Sequence, residues 1–173
     1  ANSDERVGVI SAVFERLIQQ YLGLNGKMPK GLIFTFFVNA KNIGVADLGA
    51  ALSATADGKL DMYAGTQPKT VRGPKHEWGR RREEIQRSFT DGETPVLVCT
   101  HSFGMGVNVR DVRFTIHAML PRSLEEYYQQ AGRAGRDGQP STCVLVFVDE
   151  NQEEVDRLLR PDLTSIEAIS DRH

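Results

Sequence analysis

The chain has 173 residues, 40% of them hydrophobic and 25% charged, with a formal net charge of −2 and an isoelectric point near 6.1. That length bounds it to one domain with at most a short appendage, and the ordinary globular composition excludes disorder as its default state. The near-neutral balance excludes a protein that grips nucleic acid through bulk positive charge, but not one whose phosphate contacts are few and local.

In chain order, Val9, Ile10, Val13, Phe14, Leu17, Ile18 and Tyr21 recur at helical spacing, so 7–22 is read as an amphipathic helix rather than a secretory leader. Gly23, Gly26 and Pro29 break it. The continuous apolar run 32–38, Leu32 to Val38, predicts a strand buried on both faces. Helical spacing returns over 41–54 through Ile43, Ala46, Leu48, Ala51 and Leu52, and 60–63 reads as a short strand ending before Gly65. Residues 77–89 predict a charged helix held to the core by Trp78, Ile85 and Phe89. Strands follow at 95–100, 112–119 and 142–148, with a helix opening near Ser123 between the last two.

Charge is unevenly placed. Residues 69–90 hold seven basic side chains against three acidic ones, whereas 149–173 hold eight acids against three arginines. The basic stretch is read as a solvated helix face. Cys99 and Cys143 each sit inside an apolar run and are expected to be small buried hydrophobes, being too few for a disulfide framework or a structural zinc site. No apolar run approaches the roughly 20 residues of a membrane span, so a soluble protein of the cytoplasm or nucleus, without membrane contact, is expected.

Alternating strands and helices with short connections imply an α/β fold, a parallel sheet covered by helices on both faces. Ligands of such sheets sit at the carboxyl ends of the strands, which directs attention to the segments after Phe37, Tyr63, Thr100 and His117. The densest chemical signal is Tyr127-Tyr128-Gln129-Gln130-Ala131-Gly132-Arg133-Ala134-Gly135-Arg136-Asp137-Gly138. Its helix opens on Ser123-Leu124-Glu125-Glu126, a capping box in which Ser123 and Glu126 are expected to satisfy each other's backbone N–H groups. Arg133 and Arg136, three apart on a helical turn, project to nearly one side. Two permanently charged, fork-shaped donors on one edge suit an anion whose charge rises in a transition state, such as a transferring phosphoryl group. A second signal is Val96-Leu97-Val98-Cys99-Thr100-His101-Ser102-Phe103-Gly104-Met105-Gly106-Val107-Asn108, a buried strand followed by hydroxyls and a glycine-rich turn. Its third fingerprint position is Val109, so it is not the G-x-G-x-x-G of dinucleotide binding. No G-x-x-x-x-G-K-[ST] phosphate loop and no Asp-Glu-x-His or Asp-Glu-x-Asp run occur in the chain.

The order and spacing of these segments resemble motifs V and VI of the second RecA-like lobe of superfamily 2 helicases, most closely that of RecQ-family DNA helicases. Phe103 to Asn108, Val112 to His117, Leu120-Pro121-Arg122-Ser123 and Tyr127 to Gly138 carry the likeness, with Tyr63-Ala64-Gly65 and Arg82 through Phe89 upstream. It spans about residues 31–148; 1–30 is then an N-terminal helix and linker packed on the lobe, and 149–173 an acidic helix or tail.

The resemblance implies that Arg136 is the arginine finger on the γ-phosphate, with Arg133 beside it, and that Gln129 senses nucleotide. It implies that Gly106 and Asn108 approach the ATP ribose and couple two lobes, and that Thr100, assisted by Ser102, touches the backbone of a tracked strand. Asn39 and Lys41 fall at the phosphate-contact positions of motif IV, where this chain has an apolar strand end, with Phe36 and Phe37 read as core. Arg110 stands near the place of a family lysine, and His101, read as a hydrogen-bonded strand-end residue, stands where the family has a small one. ATP and Mg2+ are expected to be held mainly by an N-terminal RecA-like lobe of the same parent chain, with single-stranded or partly duplex DNA as the other partner. This segment by itself is then expected not to hydrolyse ATP. An RNA helicase, a double-strand translocase and a non-catalytic RecA-fold scaffold are the competing readings.

Overall fold

The computed structural model describes residues 3–103 and 108–146. Gly106 and the acidic 149–173 segment lie outside the described residues. In chain order the elements are α1 (Ser3–Asn25), β1 (Lys30–Phe34), α2 (Val45–Leu52), β2 (Leu60–Tyr63), a 3-10 turn (Lys75–Glu77) running into α3 (Trp78–Asp91), β3 (Val96–Cys99), β4 (Val112–His117), α4 (Leu124–Ala131) and β5 (Thr142–Leu145). The five strands form one sheet in the order β2-β3-β1-β4-β5, and every pair is parallel. The expected fold class is the observed one.

Strand alternation divides the core. On one face Ile33, Val96, Val98, Phe114 and Ile116 meet Ile10, Phe14, Leu17 and Tyr21 of α1 and Leu48 and Leu52 of α2. On the other, Leu32, Phe34, Leu97 and Cys99 meet Trp78, Ile85 and Phe89 of α3. The second face also receives α4, because the Tyr127 ring lies 5.0 Å from His117, which stacks on Phe34 at 5.3 Å. β3 is buried throughout, as is β1, the central strand, from Gly31 onward. There Gly31 lies under the Phe114 ring, and a Cβ on it would stand 1.9 Å from Phe114 Cζ. No helix among the described residues is long and apolar enough to cross a membrane.

Several local expectations change. The apolar run 32–38 is strand only to Phe34. Thr35 donates its hydroxyl to the Ile43 carbonyl at 2.6 Å and Phe37 accepts from Val45 N at 3.0 Å, so the chain leaves the sheet and turns into α2. Phe37 is therefore 44% exposed rather than core, and half-buried Phe36 carries the Arg122 guanidinium 5.4 Å above its ring. The helix expected over 41–54 starts at Val45 because Asn42 adopts a left-handed φ of 68°. Cys99 is buried, and burial pushes its thiol far above the usual range. Cys143 is exposed, since β5 is an edge strand with one neighbour.

Candidate nucleotide and nucleic-acid site

The expected site residues fall into two groups. The first stands at the carboxyl end of the sheet. Thr100 follows β3, its N–H bonds the Tyr63 carbonyl at 3.1 Å, and its Oγ1 lies 2.7 Å from Ser102 Oγ. Thr100 is buried and Ser102 half-buried, 3.5 Å from where a Cβ on Gly65 would sit. The turn is held down from below by Phe103, which meets Tyr63 edge-on at 5.0 Å and Phe89 at 5.5 Å. Arg82 lies 5.9 Å over the Tyr63 ring. The Y-x-A-G and Arg82-to-Phe89 segments thus build the floor of the hydroxyl pair. Asn39 Oδ1 accepts the Lys69 N–H at 2.8 Å, binding the loop after β2 to the end of β1. Lys41 and His101 are exposed, and His101 lies in the turn rather than closing a strand.

The backbone of the second group is held elsewhere. Helix α4 stops at Ala131, so both arginines stand in the turn beyond it rather than on a helical turn. The backbone tightens there through Arg133 N to Gln130 O (3.2 Å) and Ala134 N to Ala131 O (3.0 Å). Gly135 follows with a φ of 68°, and a Cβ on it would meet Ser141 Oγ at 2.7 Å, so glycine is required for chirality and space alike. The turn is laid against the start of β4: Gly135 N donates to Val112 O at 2.9 Å and Asp137 N to Arg110 O at 3.1 Å. Val112 is level with Lys30, and Cys99 with Phe34. That offset of four residues is about 13 Å at ~3.3 Å per residue. The hydroxyl pair is at the strand ends, whereas the backbone of the arginine turn is anchored at the opening of β4 on the α3 face, with the Arg133 guanidinium reaching back to interact with Cys99 at the end of β3.

Arg133 and Arg136 line a shallow depression there with Leu32, Phe89, Phe103, Val109 and Val112. Burial holds the Arg133 guanidinium below its usual value, and neighbouring Arg136 lowers it further. Two like charges brought together over an apolar floor favour an anion between them. The donor set of this chain therefore fits a polyphosphate. Arg136 folds back, donating Nε to Gly132 O at 2.9 Å, where the helix end favours a cation. Asn108 and Arg110 are exposed on the segment beneath the turn, and Arg110 contributes its carbonyl to it. Among the described residues, no three His, Cys, Asp or Glu side chains come together as a metal site.

Helix α4 carries two adjacent glutamines with opposite fates. Gln129 is exposed and bonds Glu125 at 3.2 Å. Gln130 is buried, bonds Glu126 at 3.0 Å and lies beside the His117 ring. Burial lowers His117 to about 4, against the raising influence of the Val144 carbonyl, Gln130 and Glu126. The capping box is only half formed: Ser123 Oγ accepts Glu126 N at 3.1 Å, but the Glu126 carboxylate takes the N–H of Arg122 at 2.9 Å instead of that of Ser123. Sequence reasoning passed over Gln130, His117 and the pair Arg113–Asp137; for Gln130 the usable signal is its spacing of three from both Tyr127 and Arg133.

A parallel five-stranded sheet with helices on both faces, a hydroxyl turn after β3 and an arginine turn after α4 define a RecA-like lobe of the helicase type. The description of the helicase conserved C-terminal domain matches residues 13–138, and the chain belongs to that family. It is similar to the ATP-dependent DNA helicase RecQ of Bacillus subtilis, 39% identical over 104 residues that cover 58% of this chain and 18% of the relative. It is also similar to the human ATP-dependent DNA helicase Q4, 40% identical over 109 residues covering 61% of this chain and 9% of the relative. The chain thus spans less than a fifth of the length of these curated relatives. Among solved structures, domain 2 of the DEAD-box helicase Mss116p bound to an RNA duplex superposes with a TM-score of 0.65 at 21% identity, over 88% of this chain and 55% of that one. The Escherichia coli DEAD-box protein SrmB gives 0.58 at 19% identity, over 83% and 71%. At such identities the structural likeness speaks for the fold alone.

Proposed function

We propose that this lobe is the C-terminal motor half of a RecQ-like, ATP-dependent DNA helicase that moves 3′ to 5′ along single-stranded DNA. The observation that carries the reading is the pair Arg133 and Arg136 on one short turn, close enough for one guanidinium to perturb the other and backed by an apolar floor. ATP with Mg2+, bound mainly by an N-terminal lobe, supplies the phosphoryl chemistry. From this side Arg136 offers its guanidinium to the charge that develops on the transferring group, and Arg133 steadies it. An arginine supplied in this way is worth roughly 10³–10⁵ in rate, so the lobe without its partner is inactive as an ATPase.

Asn108, on the segment that leads into β4, approaches the nucleotide ribose together with Gly106, with Gln129 on the exposed face of α4 as the nucleotide sensor. Thr100 and Ser102 offer hydroxyls to the phosphate backbone, with Asn39 and Lys41 on the neighbouring strand end, and Arg110 adds a charge from the segment under the arginine turn. The two groups are offset along the sheet, so one lobe meets nucleotide on a face and DNA at an edge, and closure on the first displaces the second. DNA is favoured over RNA by the RecQ relatives, and by the Phe103–Asn108 and Tyr127–Gly138 wording shared with that family. The test is ATP hydrolysis by the full-length parent, stimulated by single-stranded DNA or RNA. In Arg136→Ala the rate falls by orders of magnitude while DNA affinity holds. An unchanged rate refutes the motor reading and leaves a binding scaffold, and stronger stimulation by RNA refutes the choice of substrate.

A further inference from the structure

The arginine turn is held by more than its own backbone, and the residues that hold it come from a distant strand. Asp137 directly follows Arg136, and its carboxylate pairs with the guanidinium of Arg113 on β4. Arg113 also donates Nη1 to the Pro140 carbonyl at 3.3 Å, so one fork grips both the turn and the chain that leaves it. The Arg113 side chain is 14% exposed and that of Asp137 28%. The other Asp137 oxygen accepts Gln139 N at 3.1 Å, closing the turn locally. Desolvation pulls the Asp137 carboxyl upward, but the Gln139 N–H and the Arg113 charge outweigh it and hold the group below the usual carboxylate range. The pair is thus charged across the neutral range. With the bonds to Val112 and Arg110, three attachments fix the turn to the opening of β4 and the segment just before it.

The directions of these attachments are informative. Among the described residues, Arg136 is tied to the lobe through Gly132 O, and its side chain is exposed. Its position therefore depends on the backbone of 132–138, and that backbone depends on β4. We infer that Arg113 and Asp137 form a positioning clamp that sets where Arg133 and Arg136 point and links that setting to the 108–112 segment. Neither residue lines the depression that Arg133 and Arg136 border. The inference rests on the arginine-finger reading and deepens it. The strand-entry segment that follows Asn108 is the same one that receives the turn, so a shift of either moves the other. Misplacing a catalytic group by about 1 Å costs on the order of 10²-fold, which makes such a clamp worth retaining.

The experiment uses the full-length parent and three variants, Asp137→Asn, Arg113→Lys and Arg136→Ala. Two quantities are read besides ATP turnover. Without nucleotide, the rate of limited tryptic cleavage after Arg133 reports how firmly the turn is held. Affinity for ADP with aluminium fluoride, set against ADP alone, reports whether the arginines reach the transition-state position. For Asp137→Asn the expected result is cleavage about 10-fold faster, analogue affinity about 10-fold weaker and ADP affinity within about twofold. Turnover falls in kcat rather than in KM, with single-stranded DNA affinity unchanged. Cleavage and analogue affinity both within about twofold of wild type overturn the clamp. Faster cleavage with unchanged analogue affinity, while Arg136→Ala weakens the analogue, overturns its positioning role. If Arg136→Ala itself leaves the analogue unaffected, the arginine-finger reading fails and takes this inference with it. Should Asp137→Asn not fold, Arg113→Lys, which keeps the charge but loses the fork, decides on the same readouts.

Discussion

Gly31→Ala tests the tightest contact in the lobe. Gly31 lies in the central strand, and an added Cβ would fall 1.9, 2.2 and 2.3 Å from three carbons of the Phe114 ring. Phe114 is itself fully buried and packs against Phe14 of α1 at 6.0 Å, so the ring has no open side to retreat into. Overpacking a close-packed core costs about 1–3 kcal/mol, and a three-atom clash with a rigid ring belongs at the upper end. Alanine regains about 0.5–1 kcal/mol by restricting the unfolded chain and suiting a strand better. The net expectation is a loss of about 2 kcal/mol. In a Phe114→Leu background the obstructing ring atoms are gone, and the same Gly31→Ala change should cost less than about 0.5 kcal/mol. The coupling in the double-mutant cycle is then about 2 kcal/mol. Urea unfolding of the four proteins with unchanged slope reads it out. A cost that is equal in both backgrounds, or absent in the first, refutes the argument that the glycine exists to admit the ring.

His117 predicts a pH dependence. Its folded-state value is lowered to about 4 from an ordinary 6.5, so between these values the unfolded chain binds the proton and the folded one does not. Stability therefore falls as pH drops from about 6.5 to 4, by on the order of 3 kcal/mol, and His117→Asn should flatten that window in chemical-denaturation curves. Ser123→Ala removes the acceptor of the Glu126 N–H and should cost about 1 kcal/mol. An unchanged urea midpoint would show that Glu126 alone holds the start of α4.

How much of this was open to a reader of the sequence depends on how far apart the interacting residues lie along the chain. The inner strands show themselves because a parallel sheet covered on both faces needs unbroken apolar runs, and 32–34 and 96–99 are such runs. Where one continues past its strand, as at Phe36 and Phe37, nothing local marks the exit, which is set by the Thr35 hydroxyl reaching Ile43. Cys143 looks as apolar in context as Cys99, and only the position of β5 at the sheet edge separates them. Gln129 and Gln130 differ by one residue, and which faces the sheet depends on the phase of an eight-residue helix with tyrosines at both 127 and 128.

The arginine pair was legible because its chemistry sits within four residues. Its support was not, because Arg113 and Asp137 are separated by 24 positions and meet only after the chain has made strand, helix and turn. The same long connection carries a consequence for the lobe. A motif confined to α4 and its exit could move its arginines without disturbing the sheet. Here the exit is bonded at Gly135, Asp137 and Pro140 to residues 110–113, which lead into a central strand, so displacement of the arginines must strain β4 or break those bonds. On the motor reading proposed above, a rigid lobe that carries its arginines as a fixed part suits closure between two lobes, because the closing motion would then deliver the charge without a second rearrangement.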